Sequence, residues 1–146
     1  MSPTSGVAPI EVLLVEDSPD DAALTVRALQ QAKIRNRVHV ATDGAAALDF
    51  LYRRGPHADA PAPDLILLDL NLPKVDGRRV LETIKGDERL RGIPVVVVTG
   101  SEAERDIATS YRFHANAYVT KPINPVEFLS AVTAIERFWL EIVRLP

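Results

Sequence analysis

Residues 63–77 read PDLILLDLNLPKVDG, and within them the apolar run 65–68 passes without a polar break into Asp69. A short, unbroken apolar run bounded by turn formers is the pattern of a strand covered on both faces, as in the centre of a parallel sheet. Three more runs share the design. Residues 10–15 (IEVLLV) lead into Glu16-Asp17, residues 94–98 (PVVVV) end at Thr99, and residues 117–120 (AYVT) end at Lys121. In a parallel sheet the carboxyl ends of the strands line one edge, and ligands bind in the crevice outside it. The pattern predicts three carboxylates, a hydroxyl and an ammonium converging on one spot.

Helical segments separate the strands. Ser18-Pro19-Asp20-Asp21 offers an N-cap, a first-turn proline and two first-turn acids, opening a helix to about Lys33 with Ala22, Leu24, Val26, Ala28 and Leu29 available for packing. A strand over 38–41 precedes a helix over 43–54 closed by Gly55-Pro56, and 57–63 is a loop. The third strand spans 64–68; a turn over 70–77 leads into a helix to about Lys85. Ser101 to Glu104 fits a capping box for a fourth helix to about His114, and Asn124-Pro125 with Glu127 opens the last helix. Strict alternation of five strands and five helices argues an α/β doubly wound parallel sheet. The strand order 2-1-3-4-5 of the flavodoxin-like (βα)5 fold is expected, with its switch point between strands 1 and 3.

The 146 residues suit one domain at 10–146, behind a lead-in at 1–9 (MSPTSGVAP) expected to be disordered. A net charge of -3 with scattered arginine pairs argues against nucleic-acid binding. Zero cysteines exclude disulfides, thiol catalysis and thiolate metal sites. No apolar stretch reaches membrane-span length and the N-terminus lacks signal-peptide character, so a cytoplasmic protein is expected.

Three clustered carboxylates repel one another, and a hard divalent cation relieves the repulsion; Mg²⁺ suits a few carboxylates plus phosphate oxygens. Asp69 would then attack phosphorus as a carboxylate nucleophile, with Lys121 and Thr99 serving the phosphoryl oxygens. Singly, each residue also reads as an ordinary strand end, turn or helix start; their joint placement on one edge favours the chemistry. A magnesium-dependent phosphatase working through an aspartyl phosphate is a weaker alternative, because its acid/base position holds Asn71, which cannot protonate a leaving group.

The motifs LLVEDSPDD (13–21), PDLILLDLNLPKVDG (63–77), IPVVVVTGS (93–101) and YVTKP (118–122) resemble those of response-regulator receiver domains of two-component signalling. The resemblance implies Asp69 as phosphoacceptor and Mg²⁺ held by Glu16, Asp17, Asp69 and the backbone carbonyl of Asn71. It implies Thr99 and Lys121 as the switch hydroxyl and the lysine, Tyr118 as a rotating readout aromatic, and a cis Lys121-Pro122 bond. A receiver accepts a phosphoryl group and releases it without turning over a separate substrate. A degenerate receiver serving only as a docking module is the other alternative. FLYRRG (50–55), SYRFHANAYVTKP (110–122) and FWLEIVRLP (138–146) resemble the single-domain regulators that partner phytochrome histidine kinases, implying a sensor histidine kinase, a bacterial phytochrome, as partner.

The last helix carries two apolar stripes. Phe128, Leu129, Val132, Trp139 and Val143 suit the sheet, whereas Ile135, Phe138, Ile142 and Leu145 lie offset. A homodimer through the face of helix 4, strand 5 and helix 5 is expected to cover the second stripe. His39, His57 and His114 read as surface or loop residues.

Overall fold

The computed structural model describes residues 9–32, 35–70, 72, 77–100, 115 and 117–133. The predicted fourth helix, the turn residue Asn71, His114, the N-terminal lead through residue 8 and the second stripe of the last helix lie outside the described residues.

Within them run β1 (Ile10–Val15), α1 (Pro19–Gln31), β2 (Asn36–Ala41), α2 (Gly44–Tyr52), a 3₁₀ turn (Gly55–His57), β3 (Leu65–Asp69), α3 (Gly77–Gly86), β4 (Val95–Thr99), β5 (Ala117–Thr120) and α4 (Pro125–Thr133). The five strands are all parallel in the order β2-β1-β3-β4-β5, as the alternation predicts.

Each central strand is apolar throughout because successive residues serve opposite cores. Val12, Leu14, Leu65, Leu67, Val96 and Val98 pack with α1 and α4 through Leu29, Phe128 and Val132. Leu13, Val15, Ile66, Leu68, Val95 and Val97 pack with α2 and α3 through Phe50, Leu51, Val80, Leu81 and Ile84. A fully buried side chain of this kind contributes about 1.5–3 kcal/mol. These two layers hold the strand ends in fixed register, which is what positions the site.

Helix entries follow the sequence. The Ser18 hydroxyl accepts the Asp21 N–H at 3.2 Å, and Asn124 Oδ1 accepts the Glu127 N–H at 2.7 Å. The Glu127 carboxylate does not complete a reciprocal box; it accepts from the Thr120 N–H at 3.4 Å, tying α4 to the end of β5.

Three expectations need correction. On α1 the buried stripe is Ala22, Thr25, Ala28 and Leu29, spaced by three and four residues, which leaves Leu24 53 % exposed. The α2 helix stops before Gly55: Arg53 takes the left-handed conformation at φ 55°, and the Arg54 N–H closes the turn on the Asp49 carbonyl at 2.8 Å. His39 lies on β2, within the strand expected over 38–41, with Nε2 2.7 Å from Glu11 Oε2 and its ring against Phe50. Finally, β3 and β4 each begin and end one residue later than expected, so Asp69 and Thr99 are the last residues of strands.

Opposite the strands' carboxyl ends, α2 is tied to the segment after α3 by the Tyr52 hydroxyl, which donates to Asp87 Oδ2 at 2.6 Å. That bond is the main cause holding the Asp87 carboxyl below its ordinary range and the Tyr52 phenol above its own. A lowered carboxyl stabilises above its unfolded pKa of about 3.9, and a raised phenol stabilises below its unfolded value of about 10. Tyr52→Phe is therefore expected to melt below wild type between those limits, with the gap closing under acid and alkali. Thermal melts across pH check this; a gap that persists well above pH ~10 contradicts it.

Candidate phosphoacceptor site

The site is assembled at the carboxyl edge of the sheet. Val15 pairs with Leu68, so Glu16, just past β1, stands beside Asp69 at the end of β3; the Glu16 N–H is fixed on the Ala41 carbonyl at 2.9 Å. Val98 pairs with Asp69 and Thr99 with Thr120, which brings Thr99 and then Lys121 to the same edge. The Lys121 N–H donates to the Thr99 carbonyl at 2.8 Å, and the peptide bond to Pro122 is cis, as the resemblance implies.

Burial divides the acids. Glu16 and Asp69 are 3 % and 4 % exposed, whereas Asp17 is exposed. One carboxylate oxygen from each of Glu16, Asp17 and Asp69 lies within 4.8 Å of the others. Lys121 Nζ stands among these acids, 2.6 Å from Glu16 Oε1 and 3.0 Å from Asp69 Oδ2. It also reaches Asp21 Oδ2 on the first turn of α1 at 3.1 Å.

Burial pushes the Glu16 carboxyl up to about 7, because its bonds to Lys121 and the Ser18 N–H do not offset desolvation and the neighbouring Asp69. Desolvation likewise opposes the Lys121 ammonium, but its bonds to Glu16, Asp69 and Asp21 prevail and raise its pKa. The lysine is firmly cationic and already serves as counter-charge to two buried acids.

Thr99 is fully buried, with its hydroxyl donating to the Val119 carbonyl at 3.3 Å. Tyr118 is half-buried on β5 and packs on the core face shared with α2 and α3. Beside the crevice, Asp21, Leu24, Thr25, Gly100, Lys121 and Pro122 enclose an open cavity of about 520 Å³. The structure thus brings Glu16, Asp17, Asp69, Thr99 and Lys121 to one edge.

Sequence reading missed two contributors. Asp21 passes there as a first-turn acid suited to the helix dipole; its position four residues past Asp17 is the only local signal. Gly77 passes as a turn residue, yet a Cβ there would lie 2.4 Å from the Asp69 carbonyl oxygen and 2.6 Å from Leu70 Cα. Its bare α-carbon is what lets α3 start directly against the end of β3.

A family model for the response regulator receiver domain matches residues 12–133. The chain belongs to the response regulator receiver family. Among relatives, Response regulator Rcp1 of Synechocystis sp. (strain ATCC 27184 / PCC 6803 / Kazusa) is 47 % identical over 138 residues, covering 94 % of each chain. The Mn²⁺-bound crystal structure of Rcp1 superposes with a TM-score of 0.72 over 94 % of this chain and 99 % of that one. The bacteriophytochrome response regulator AtBRR is 45 % identical with a TM-score of 0.84, covering 90 % of this receiver and 96 % of that chain. The phosphorylated cyanobacterial phytochrome response regulator RcpA is also 45 % identical, with a TM-score of 0.73 over 95 % and 99 %. Among the described residues, no helix of this receiver is long and apolar enough to cross a membrane.

Proposed function

We propose that this receiver accepts a phosphoryl group from the phosphohistidine of a sensor histidine kinase onto the Asp69 carboxylate. The observation that carries the reading is the Lys121 ammonium held between two buried carboxylates, Glu16 and Asp69, at the carboxyl ends of β1, β3 and β5. An Asp69 oxygen forms the new bond to phosphorus as the phosphorus–nitrogen bond breaks, and the departing imidazole takes a proton from solvent. Lys121 meets the transferred oxygens as a point charge, and the Thr99 hydroxyl is one strand away for a hydrogen bond.

The donor set fits Mg²⁺: three clustered carboxylates supply hard oxygen ligands, and their mutual repulsion favours a doubly charged ion. Glu16, Asp17 and Asp69, with the Asn71 carbonyl, are the residues we assign to it. Bound there, Mg²⁺ supplies charge neutralisation for the phosphoryl oxygens.

In this reading Tyr118 is the switch aromatic and responds to Thr99 once the phosphoryl group arrives. Identity to Rcp1, AtBRR and RcpA supports a bacterial phytochrome as the kinase. A cytoplasmic homodimer through the face of the expected fourth helix, β5 and the last helix, with no separate substrate turned over, completes the proposal. Incubation with acetyl phosphate and Mg²⁺ is expected to add one phosphoryl group to the intact mass, and chelation of the metal to prevent it. No gain in the presence of Mg²⁺ would favour a docking module instead.

A further inference from the structure

Three carboxylates share the Lys121 ammonium, yet only Glu16 and Asp69 belong to the cluster able to hold a metal ion. The third is Asp21, whose side chain is 42 % exposed at the rim of the crevice. An ammonium has three N–H donors, so these three acceptors match it one for one. Any cation that takes up oxygens of Glu16 and Asp69 withdraws acceptors from Lys121, and a phosphoryl group bonded to Asp69 replaces a carboxylate acceptor with its own oxygens. Asp21 stands outside both exchanges.

We propose that Asp21 is a positioning residue for Lys121: its carboxylate keeps the ammonium at the mouth of the crevice, facing Asp69, while the buried acids change partners. This rests on Asp69 being the phosphoacceptor. Both ends of the arrangement are fixed by backbone bonds. The Asp21 N–H is held by the Ser18 hydroxyl at 3.2 Å, and the Lys121 N–H by the Thr99 carbonyl at 2.8 Å. Between them lie only the four-carbon lysine stem and the short aspartate side chain. A partner at its tip limits the rotamers that must otherwise be frozen at the moment of transfer.

The test compares Asp21→Asn with Asp20→Asn, which removes the same charge from the same turn at an exposed position. In metal-free, unphosphorylated protein, the ¹H–¹⁵N spectrum of lysine ammonium groups is expected to contain a Lys121 signal, assigned by its loss in Lys121→Arg. Without metal that signal should persist in both variants, because Glu16 and Asp69 still hold the ammonium; with saturating Mg²⁺ it should persist in wild type and Asp20→Asn and vanish in Asp21→Asn. With acetyl phosphate and saturating Mg²⁺, Asp21→Asn should lower the maximal phosphorylation rate about two- to fivefold, the range open to a half-exposed ion pair. The Mg²⁺ concentration for half-maximal rate should remain near that of wild type.

A Lys121 signal that persists in Asp21→Asn with saturating Mg²⁺, an unchanged maximal rate, or an equal loss in Asp20→Asn would overturn the proposal. A wild type that takes up no phosphoryl group would refute the phosphoacceptor reading, and the ammonium spectrum alone would then decide whether Asp21 holds Lys121.

Discussion

Asp69→Asn is expected to take up no phosphoryl group while melting, without metal, at or above the wild-type temperature. The loss is complete because the amide offers no carboxylate oxygen to form the bond to phosphorus. The fold survives for an electrostatic reason. In the wild type, Glu16 and Asp69 are both buried beside Lys121, and Asp69 contributes to raising the Glu16 pKa. Replacing one acid by a neutral isostere removes that repulsion and leaves Glu16 and Asp21 as partners of the ammonium. The amide oxygen still accepts from Lys121, and the new amide N–H donors replace an oxygen that lies against the Glu16 carboxylate, which can accept from them. Added Mg²⁺ should raise the melting temperature of wild type more than that of the variant, which has lost one of three clustered carboxylates. Intact-mass analysis and melts with and without Mg²⁺ check both halves. A variant that still gains a phosphoryl group, or that fails to fold, contradicts the site as described.

Gly77→Ala is expected to destabilise strongly although the change improves intrinsic helix propensity. Alanine in place of glycine favours a helix by about 1 kcal/mol at an interior position. Here the added Cβ meets three atoms of one backbone stretch: the Asp69 oxygen at 2.4 Å, Leu70 Cα at 2.6 Å and the Leu70 oxygen at 2.7 Å. None of these atoms can rotate away, and the Gly77 N–H is itself bonded to the Leu70 carbonyl at 3.2 Å. The start of α3 must therefore lift from β3, carrying with it Val80, Leu81 and Ile84 from a core in which each is almost fully buried. Overpacking costs about 1–3 kcal/mol and more where backbone must yield. Because the colliding oxygen belongs to Asp69, phosphorylation should slow as well. Denaturant unfolding measures the first effect; a Gly77→Ala protein more stable than wild type would show that propensity outweighs the close approach.

Those two residues differ in how plainly the sequence announces them. Asp69 ends an apolar run in a chain of alternating strands and helices, so its edge position follows from run length alone, as it does for Glu16, Thr99 and Lys121. Gly77 and Asp21 are set by tertiary distance. Lys121 and Asp21 are 100 residues apart, and no local pattern encodes their contact. The same division explains the smaller misses. Leu24 looks like a core residue by composition, but the phase of α1 set by the Ser18 cap turns it outward. Arg53 ends α2 in a conformation that glycine usually supplies, so the helix stop was expected two residues late, at Gly55. His39 carries no signal of its partner because Glu11 comes from the neighbouring strand.

The central claim is that the phosphoryl group resides on Asp69. Phosphorylated wild-type protein can be reduced with borohydride, which converts an acyl phosphate to the alcohol, and then mapped by peptide mass. The reduced residue is predicted at position 69 and at no other acid. Reduction at Glu16 or Asp17, or a phosphoryl group that survives borohydride on His114, would contradict it.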